Sequence, residues 1–216
     1  MSAGTVLFWR HGQTEYNATG RLQGQVDIEL NALGRAQAAA AAEVLAHVRP
    51  TAIVSSDLSR AFATAQELGA RTGVEVITDR RLRERSFGAW EGLTHAEMAD
   101  GWPEPFAAWT DGGQPEGIGA ETRHEVGRRV AEVVTGMAEE HGERDVVVVV
   151  AHGAAISAGL TTLLGQDPEH WRGITGLGNC HWSVLRANTG LAPPWRLSAH
   201  NVGAPDADFP PAGRIV

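Results

Sequence analysis

The run Val146-Val147-Val148-Val149-Val150, closed by Ala151-His152-Gly153, constrains the fold of this chain more than any other feature. Five β-branched residues in succession favour extended backbone, and the lack of alternation with polar residues means that both faces of the strand are buried. Such a strand belongs in the middle of a sheet covered by helices on both sides. Thr5 to Trp9 is a second compact apolar run, and it ends in the same way, at Arg10-His11-Gly12.

The segments between these runs alternate in type. After a loop to about Asn31, Leu33, Ala36, Gln37, Ala40, Val44 and Val48 follow helical spacing in an alanine-rich stretch that stops at Pro50. Ala52 to Ser55 reads as a short strand, Ser59 to Thr72 as a helix closed by Gly73, and Val74 to Ile77 as a third strand. Thr122-x-x-Glu125 has the form of a capping box, and Val126, Val130, Val133, Val134 and Met137 stripe the helix that it starts. Ala154 to Leu164 is helical again, and Cys180 to Arg186 and Trp195 to Ala199 are late strands. The pattern predicts an α/β fold, a three-layer α/β/α sandwich with a mostly parallel central sheet.

Gly101 to Gly119, rich in Gly, Pro and Trp and with little periodicity, is expected to form a substrate-covering excursion over about 93–121. The tail, about 201–216, is Pro- and Ala-rich and is expected to be irregular. Without repeats or linkers, the 216 residues predict a single domain over 1–216.

Composition narrows the partners. A net charge of −8 speaks against a nucleic-acid or anionic-membrane surface. No segment reaches the length of a bilayer span, and the first residues lack the basic and apolar regions of a secretory leader. Cys180 is the only cysteine, so no intrachain disulfide can form and a reducing, cytoplasmic compartment is expected. All 18 basic residues are Arg, whose planar fork suits phosphate oxygens wherever several converge.

The chemistry concentrates where strands end. In open α/β sheets ligands bind at the carboxyl edge, and Arg10-His11-Gly12-Gln13-Thr14 with Asn17 lies at such an edge. A bare Arg-His-Gly arises in about one chain in ten of this composition, and adding Thr14 and Asn17 lowers the odds to on the order of one in several thousand. His152-Gly153 follows the valine strand in the same position, so a parallel sheet brings the two histidines to one edge. Two histidines also fit metal ligation, but a stable site needs a third ligand, and no His-x-His or His-Glu-x-x-His spacing occurs. Arg60 opens the second helix, where a cation opposes the helix dipole unless an anion sits nearby. Glu84, in Leu82-Arg83-Glu84-Arg85, reads equally as a surface ion-pair member or as a functional acid. Trp102, Trp109 and Trp171 read first as packing residues, with stacking on a sugar as the alternative.

Together these segments resemble the histidine phosphatase (phosphoglycerate-mutase-like) superfamily. The resemblance rests on Arg10-His11-Gly12-Gln13-Thr14 with Asn17, then Ser55-Ser56-Asp57-Leu58-x-Arg60-Ala61, then Leu82-Arg83-Glu84 with Phe87-Gly88-x-Trp90-Glu91-Gly92, then Val150-Ala151-His152-Gly153, all in the family's order. It implies that His11 attacks phosphorus and that Arg10, Arg60 and His152 hold the phosphoryl oxygens, with Asn17 and Gly153 in the same phosphate site. It further implies that Glu84 is the general acid, neutral when substrate binds, and that Gln23 and Gly24 line the substrate pocket. No metal or organic cofactor is implied. The expected partner is a small anionic phosphorylated metabolite, and members are commonly dimeric, which makes a homodimer an expected assembly.

Family members either hydrolyse phosphomonoesters or act as mutases. The mutases carry extra length between the acid and the second histidine, usually with lysine contacts. This chain is compact there and has no Lys, so the resemblance implies a phosphatase. A mutase, a broad sugar-phosphate phosphatase and a non-catalytic binder are the alternatives. Pro115 to Thr122 departs from the family's usual Gly-Gly-Glu-Ser, leaving the lid and the sugar preference open.

Overall fold

The computed structural model describes residues 3–204. Six strands form one sheet: β1 (Thr5–Arg10), β2 (Ala52–Ser55), β3 (Val76–Thr78), β4 (Val146–Ala151), β5 (Trp182–Ala187) and β6 (Trp195–Val202), in the order β3-β2-β4-β1-β5-β6. The first four of that order pair in parallel, β5 is antiparallel to β1, and β6 is antiparallel to β5. The sheet is thus mixed but mostly parallel, with β5 alone running against the others.

The valine strand lies between β2 and β1 and alternates between two cores. Val147, Val149 and Ala151 pack with Val6 and Phe8 under α6 (Arg123–Glu139) and α7 (Gly153–Leu163). Val148 and Val150 pack with Leu7 and Trp9 under α2 (Ala32–Ala46) and α3 (Ser59–Thr72). Burial on both faces is the reason that the run carries no polar residue. Among the described residues no helix is long and apolar enough to cross a membrane.

Local signals set the helix ends. Asn31 caps α2 by accepting from Gly34 N, Gly73 closes α3 in the left-handed region at φ 74°, and Thr122 and Glu125 form the capping box of α6. A short α1 (Glu15–Ala18), not expected from the sequence, has a capping box between Thr14 and Asn17. The apolar face of α2 is rotated from its expected place. The buried residues are Gly34, Gln37, Ala38, Ala41, Ala42 and Leu45, whereas Leu33 is 47% exposed. Small residues win the inner face because α2 lies close to α3 and to the loop after β1, which leaves no room for Leu33.

Three further expectations need correction. The third strand begins at Val76 rather than Val74. The 93–121 segment carries α4 (His95–Gly101), capped by Thr94 and Glu97, and α5 (Pro103–Thr110), with Pro103 in its first turn. These helices close over a separate aromatic core of Phe87, Trp90, Met98, Trp109 and Ile118, in which the Trp90 and Trp109 rings meet edge to face at 5.5 Å. β6 runs through Val202, so the first residues of the expected irregular tail are strand. The rest of that tail, 205–216, lies outside the described residues.

The N-terminus of α2 supports the loop that leaves β1. A Cβ built on Gly34 would stand 2.0 Å from the Gln13 carbonyl oxygen, a backbone atom. In an open helix Gly→Ala stabilises by about 0.5–1 kcal/mol, but here the contact reverses the sign. Gly34→Ala is expected to destabilise the protein by about 1–3 kcal/mol, read as a lower urea midpoint at unchanged slope. An unchanged or raised midpoint would show that the loop gives way freely.

Candidate active site

Parallel pairing places Arg10 opposite Ala151, so His11 and His152 leave adjacent strands side by side. The His11 amide donates to the Ala151 carbonyl at 3.1 Å, and the two rings lie 5.1 Å apart between centroids. β2, on the other side of β4, leads into α3, whose first turn carries Arg60. This side chain is fully buried and donates to the carbonyls of Val26 and Gly24 at 2.8 Å each, and through Nε to His152 Nδ1 at 3.2 Å.

These contacts fix the tautomers of both rings. Because His152 Nδ1 accepts from a guanidinium, its proton sits on Nε2, a buried atom with no partner among the described residues. His11 Nδ1 lies 2.7 Å from the Gly12 carbonyl, an acceptor, so Nδ1 holds the proton and Nε2 keeps its lone pair. Burial first, then the positive charge of Arg60, pushes both histidines well below the ordinary value of 6.5. Both are neutral at pH 7. Burial also lowers Arg10, and brings Arg60 down to about 10, still charged at neutral pH.

Glu84 does not pair with the arginines beside it. Arg83 turns away into a two-pronged pair with Asp57, at 2.7 and 2.6 Å. The Glu84 carboxylate instead accepts from the backbone N–H groups of Arg85, Ala154 and Ala155, the last two at the start of α7. It thereby serves free donors of a helix whose own N-cap, His152, supplies no side-chain bond. Arg129 of α6 clamps the loop from behind by donating to the carbonyls of Arg81, Arg83 and Glu84.

A cavity of about 290 Å³ opens over this edge, and Arg10, His11, Asn17, Gln23, Gly24, Arg60, Glu84 and Gly153 all line it. His152, the ninth residue singled out from the sequence, lies directly behind them and is fully buried. Asn17 Oδ1 accepts from Thr14 and from Asn179 Nδ2, which leaves its NH₂ group as the donor for the cavity. Gln23 accepts from Thr14 Oγ1 at 2.8 Å. Gly24 has φ 50°, and a Cβ there would meet the Glu91 carboxylate at 2.2 Å. At Gly153 an added Cβ would stand 3.5 Å from the Arg10 guanidinium carbon. Arg10 itself donates to the Leu177 carbonyl, while its buried Nε has no partner among the described residues.

The sequence reading missed part of the wall. Arg21, Arg85, Arg123 and Arg172 also line the cavity, with Phe87, His95 and Trp109. Arg85 stood next to Glu84 in a motif already identified, and that adjacency was its only signal. Arg123 opens α6 and Arg172 lies in the loop after α7, and only the fold reveals their approach. Trp171 lines the cavity as well, so packing is not its whole environment. Among the described residues no group of three His, Cys, Asp or Glu side chains is placed to hold a metal ion.

The neutral histidines make stability depend on pH. Below 6.5 the unfolded chain binds protons that the folded state refuses, so stability present above 6.5 is lost as pH falls toward the depressed folded values. The slope is at most about 1.4 kcal/mol per pH unit for each histidine. The urea midpoint is expected to fall between pH 7.5 and 5.5, and the fall should be shallower in His152→Asn. Equal slopes in the two proteins would show that His152 is protonated in the folded state.

The matches to known proteins agree with this geometry. Residues 6–201 match the description "Histidine phosphatase superfamily (branch 1)". The chain is 42% identical over 216 residues to a glucosyl-3-phosphoglycerate phosphatase of Mycobacterium tuberculosis, a match that covers 94% of this chain and 97% of that protein. To the protein of the same name from Mycolicibacterium vanbaalenii it is 45% identical over 190 residues, covering 85% and 84%. Among solved structures, a mycobacterial glucosyl-3-phosphoglycerate phosphatase complexed with VO3 superposes with a TM-score of 0.85 at 41% identity, covering 93% of this chain and 100% of that one. With the family's motifs converging on one cavity and a match that spans nearly the whole described chain, this protein belongs to the histidine phosphatase superfamily.

Proposed function

We propose that this protein hydrolyses phosphomonoesters through a phosphohistidine at His11, without a metal ion, and that glucosyl-3-phosphoglycerate is its preferred substrate. One observation carries the reaction. A neutral imidazole, its Nε2 lone pair freed by the Nδ1–Gly12 contact, lies in a cavity with Arg10, Arg60 and Glu84.

In the first step His11 Nε2 attacks phosphorus, the N–P bond forms and the ester P–O bond breaks. Arg10, Arg60, the His152 Nε2–H and the Asn17 amide hold the equatorial oxygens and meet the charge that spreads over them. Glu84 enters this step as the carboxylic acid, gives its proton to the leaving alkoxide and is left as the carboxylate. In the second step Glu84, now a carboxylate, accepts a proton from water as the water oxygen bonds to phosphorus. The N–P bond then breaks and His11 returns to its starting state.

The substrate assignment is supported by the relatives at 42% and 45% identity, and by a cavity wall that joins charged and aromatic side chains. Departures over Pro115 to Thr122 bear on it, since this stretch borders the excursion above the site. The lone, buried Cys180 supports a cytoplasmic location, and kinship supports a homodimer.

His11→Ala is expected to reduce turnover by about 10³-fold or more, and Glu84→Gln by on the order of 10²–10⁴-fold, most severely on substrates with poor leaving groups. Normal turnover in the His11 variant would sink the mechanism. Phosphate release should be fastest from glucosyl-3-phosphoglycerate when compared with mannosyl-3-phosphoglycerate, 3-phosphoglycerate and simple sugar phosphates. Broad, weak hydrolysis would remove the named substrate but keep the reaction. Isomerised 3-phosphoglycerate without free phosphate would make the protein a mutase. Activity is also expected to survive a chelator, and loss on EDTA restored by added metal would overturn the metal-free reading.

A further inference from the structure

Gln37 carries a buried amide that the proposed chemistry does not use. It lies on the inner face of α2 with Gly34, Ala38, Ala41 and Ala42, is 6% exposed and does not line the cavity. An amide buried on a face of small apolar residues is unfavourable unless it is bonded. Its Oε1 accepts from the Gln13 N–H at 2.9 Å.

That N–H shares one planar peptide unit with the Gly12 carbonyl, the group that lies 2.7 Å from His11 Nδ1. The unit is trans, so its N–H and its C=O point in opposite directions. Gln37 therefore holds one side of the unit and the His11 ring holds the other. The flanking units are tied down separately. The Gly12 N–H donates to Thr64 Oγ1 of α3 at 3.1 Å, and the Gln13 carbonyl accepts from the Asn31 amide at 3.0 Å.

Residue 12 needs such a hold. A Cβ there would stand 2.3 Å from the Gly34 carbonyl oxygen, so the close packing of the loop on α2 requires glycine. Glycine brings the widest backbone freedom of any residue, and with it the freedom of the 12–13 unit to turn over. A turned unit would aim its N–H, a donor, at His11 Nδ1, and the ring would then carry its proton on Nε2. The atom that attacks phosphorus in the proposed reaction would have no lone pair to offer.

We infer that Gln37 is a positioning residue for the nucleophile: it fixes the Gly12–Gln13 peptide so that the Gly12 carbonyl keeps the His11 proton on Nδ1. The inference rests on the proposed reaction in taking His11 as the attacking group. It places part of the control of the nucleophile on α2, a helix that contributes no side chain to the cavity wall.

The test uses Q37M, which keeps the length of the side chain and removes the acceptor, and Q37E, which keeps an acceptor oxygen. Long-range proton–nitrogen NMR spectra of protein with nitrogen-labelled histidine report which ring nitrogen carries the proton, and the His11 signals are assigned by their loss in His11→Ala. In the wild type at neutral pH the proton is expected on Nδ1. In Q37M it should divide between the two nitrogens, and kcat/KM should fall about tenfold, the worth of about one hydrogen bond. The fall should be equal on p-nitrophenyl phosphate and 3-phosphoglycerate, because the attacking atom and not the leaving group is affected. Q37E should recover most of both readouts. A wild-type His11 protonated on Nε2, which requires no variant to fold, would overturn the inference. So would a folded Q37M with an unmoved ring proton, whatever its activity, since a purely structural defect lowers turnover without changing the tautomer. A moved proton in Q37M, with turnover intact in His11→Ala, would keep the hold of Gln37 on the ring and sink the phosphohistidine reading instead.

Discussion

The parallel pairing of β1 with β4, Arg10 opposite Ala151, is the constraint on which the site depends. The two strands are far apart in sequence, and only this register brings His11 and His152 out at the same level of one edge. The same pairing sets the start of α7, since Gly153 follows β4 at once, and so positions the N–H groups that hold Glu84. β2, on the far side of β4, leads into α3 and so brings Arg60 against His152. Two adjacent strand ends and the helix that follows the third thus bring two neutral imidazoles and a buried cation together. A slip of one residue in the register would turn every side chain of β4 to the opposite core and take His152 out of level with His11.

The electrostatics of the site run against those of the whole. A chain of net charge −8 encloses a cavity with six arginines and one glutamate. Burying Arg60 completely is unfavourable without acceptors, and two backbone carbonyls and His152 Nδ1 offset that cost. The result couples two functions in one side chain. Arg60 carries positive charge to the phosphoryl site, and its field helps keep both imidazoles neutral. A nucleophile and its electrostatic support usually oppose each other, because cations attract the substrate's charge yet draw electron density from the attacking atom. In the proposed reaction the opposition favours catalysis, since a proton is kept off the His11 ring.

Much of this was legible in the sequence, for a physical reason that differs from one element to the next. Strands buried on both faces show as unbroken apolar runs, and β1, β2 and β4 were readable on that basis. Capping residues marked the ends of α3 and α6. The four motif segments supplied residues that the fold brings to one cavity, because short stretches at strand ends keep their chemistry local. What escaped was long-range or weakly periodic. The direction of β5 is set by pairing, which no local pattern encodes. The phase of α2 was misread because alanines and glycines, not its larger apolar residues, face the core. The helices α4 and α5 were hidden by their shortness and by aromatic packing in place of an apolar stripe, although Thr94-x-x-Glu97 had the form of a capping box. Arg123 and Arg172 carried no local signal, and only the fold brings them to the Gly112 carbonyl.

Two sets of these residues are held in different ways. His11, His152 and Arg60 stand at the ends of core strands and the starts of helices, and Glu84 is tied from its loop to the start of α7, where any shift would disturb the sheet. Arg85, Arg123 and Arg172 are gathered instead by one turn, at whose centre Gly112 adopts φ 89°, a left-handed conformation that suits glycine. The Gly112 carbonyl accepts from both Arg123 and Arg172, and Arg172 is held further by the carbonyls of Pro168, Glu169 and Trp171. The variable stretch Pro115 to Thr122 begins directly after this turn, and it reaches Glu121, whose carbonyl takes Arg85 Nε and whose carboxylate takes Arg129. Through Arg129 the same stretch also touches the loop that carries Glu84. The two sets are thus joined at one point, the Glu121–Arg129 pair, and there a change in the stretch would act on the chemical step of the proposed reaction.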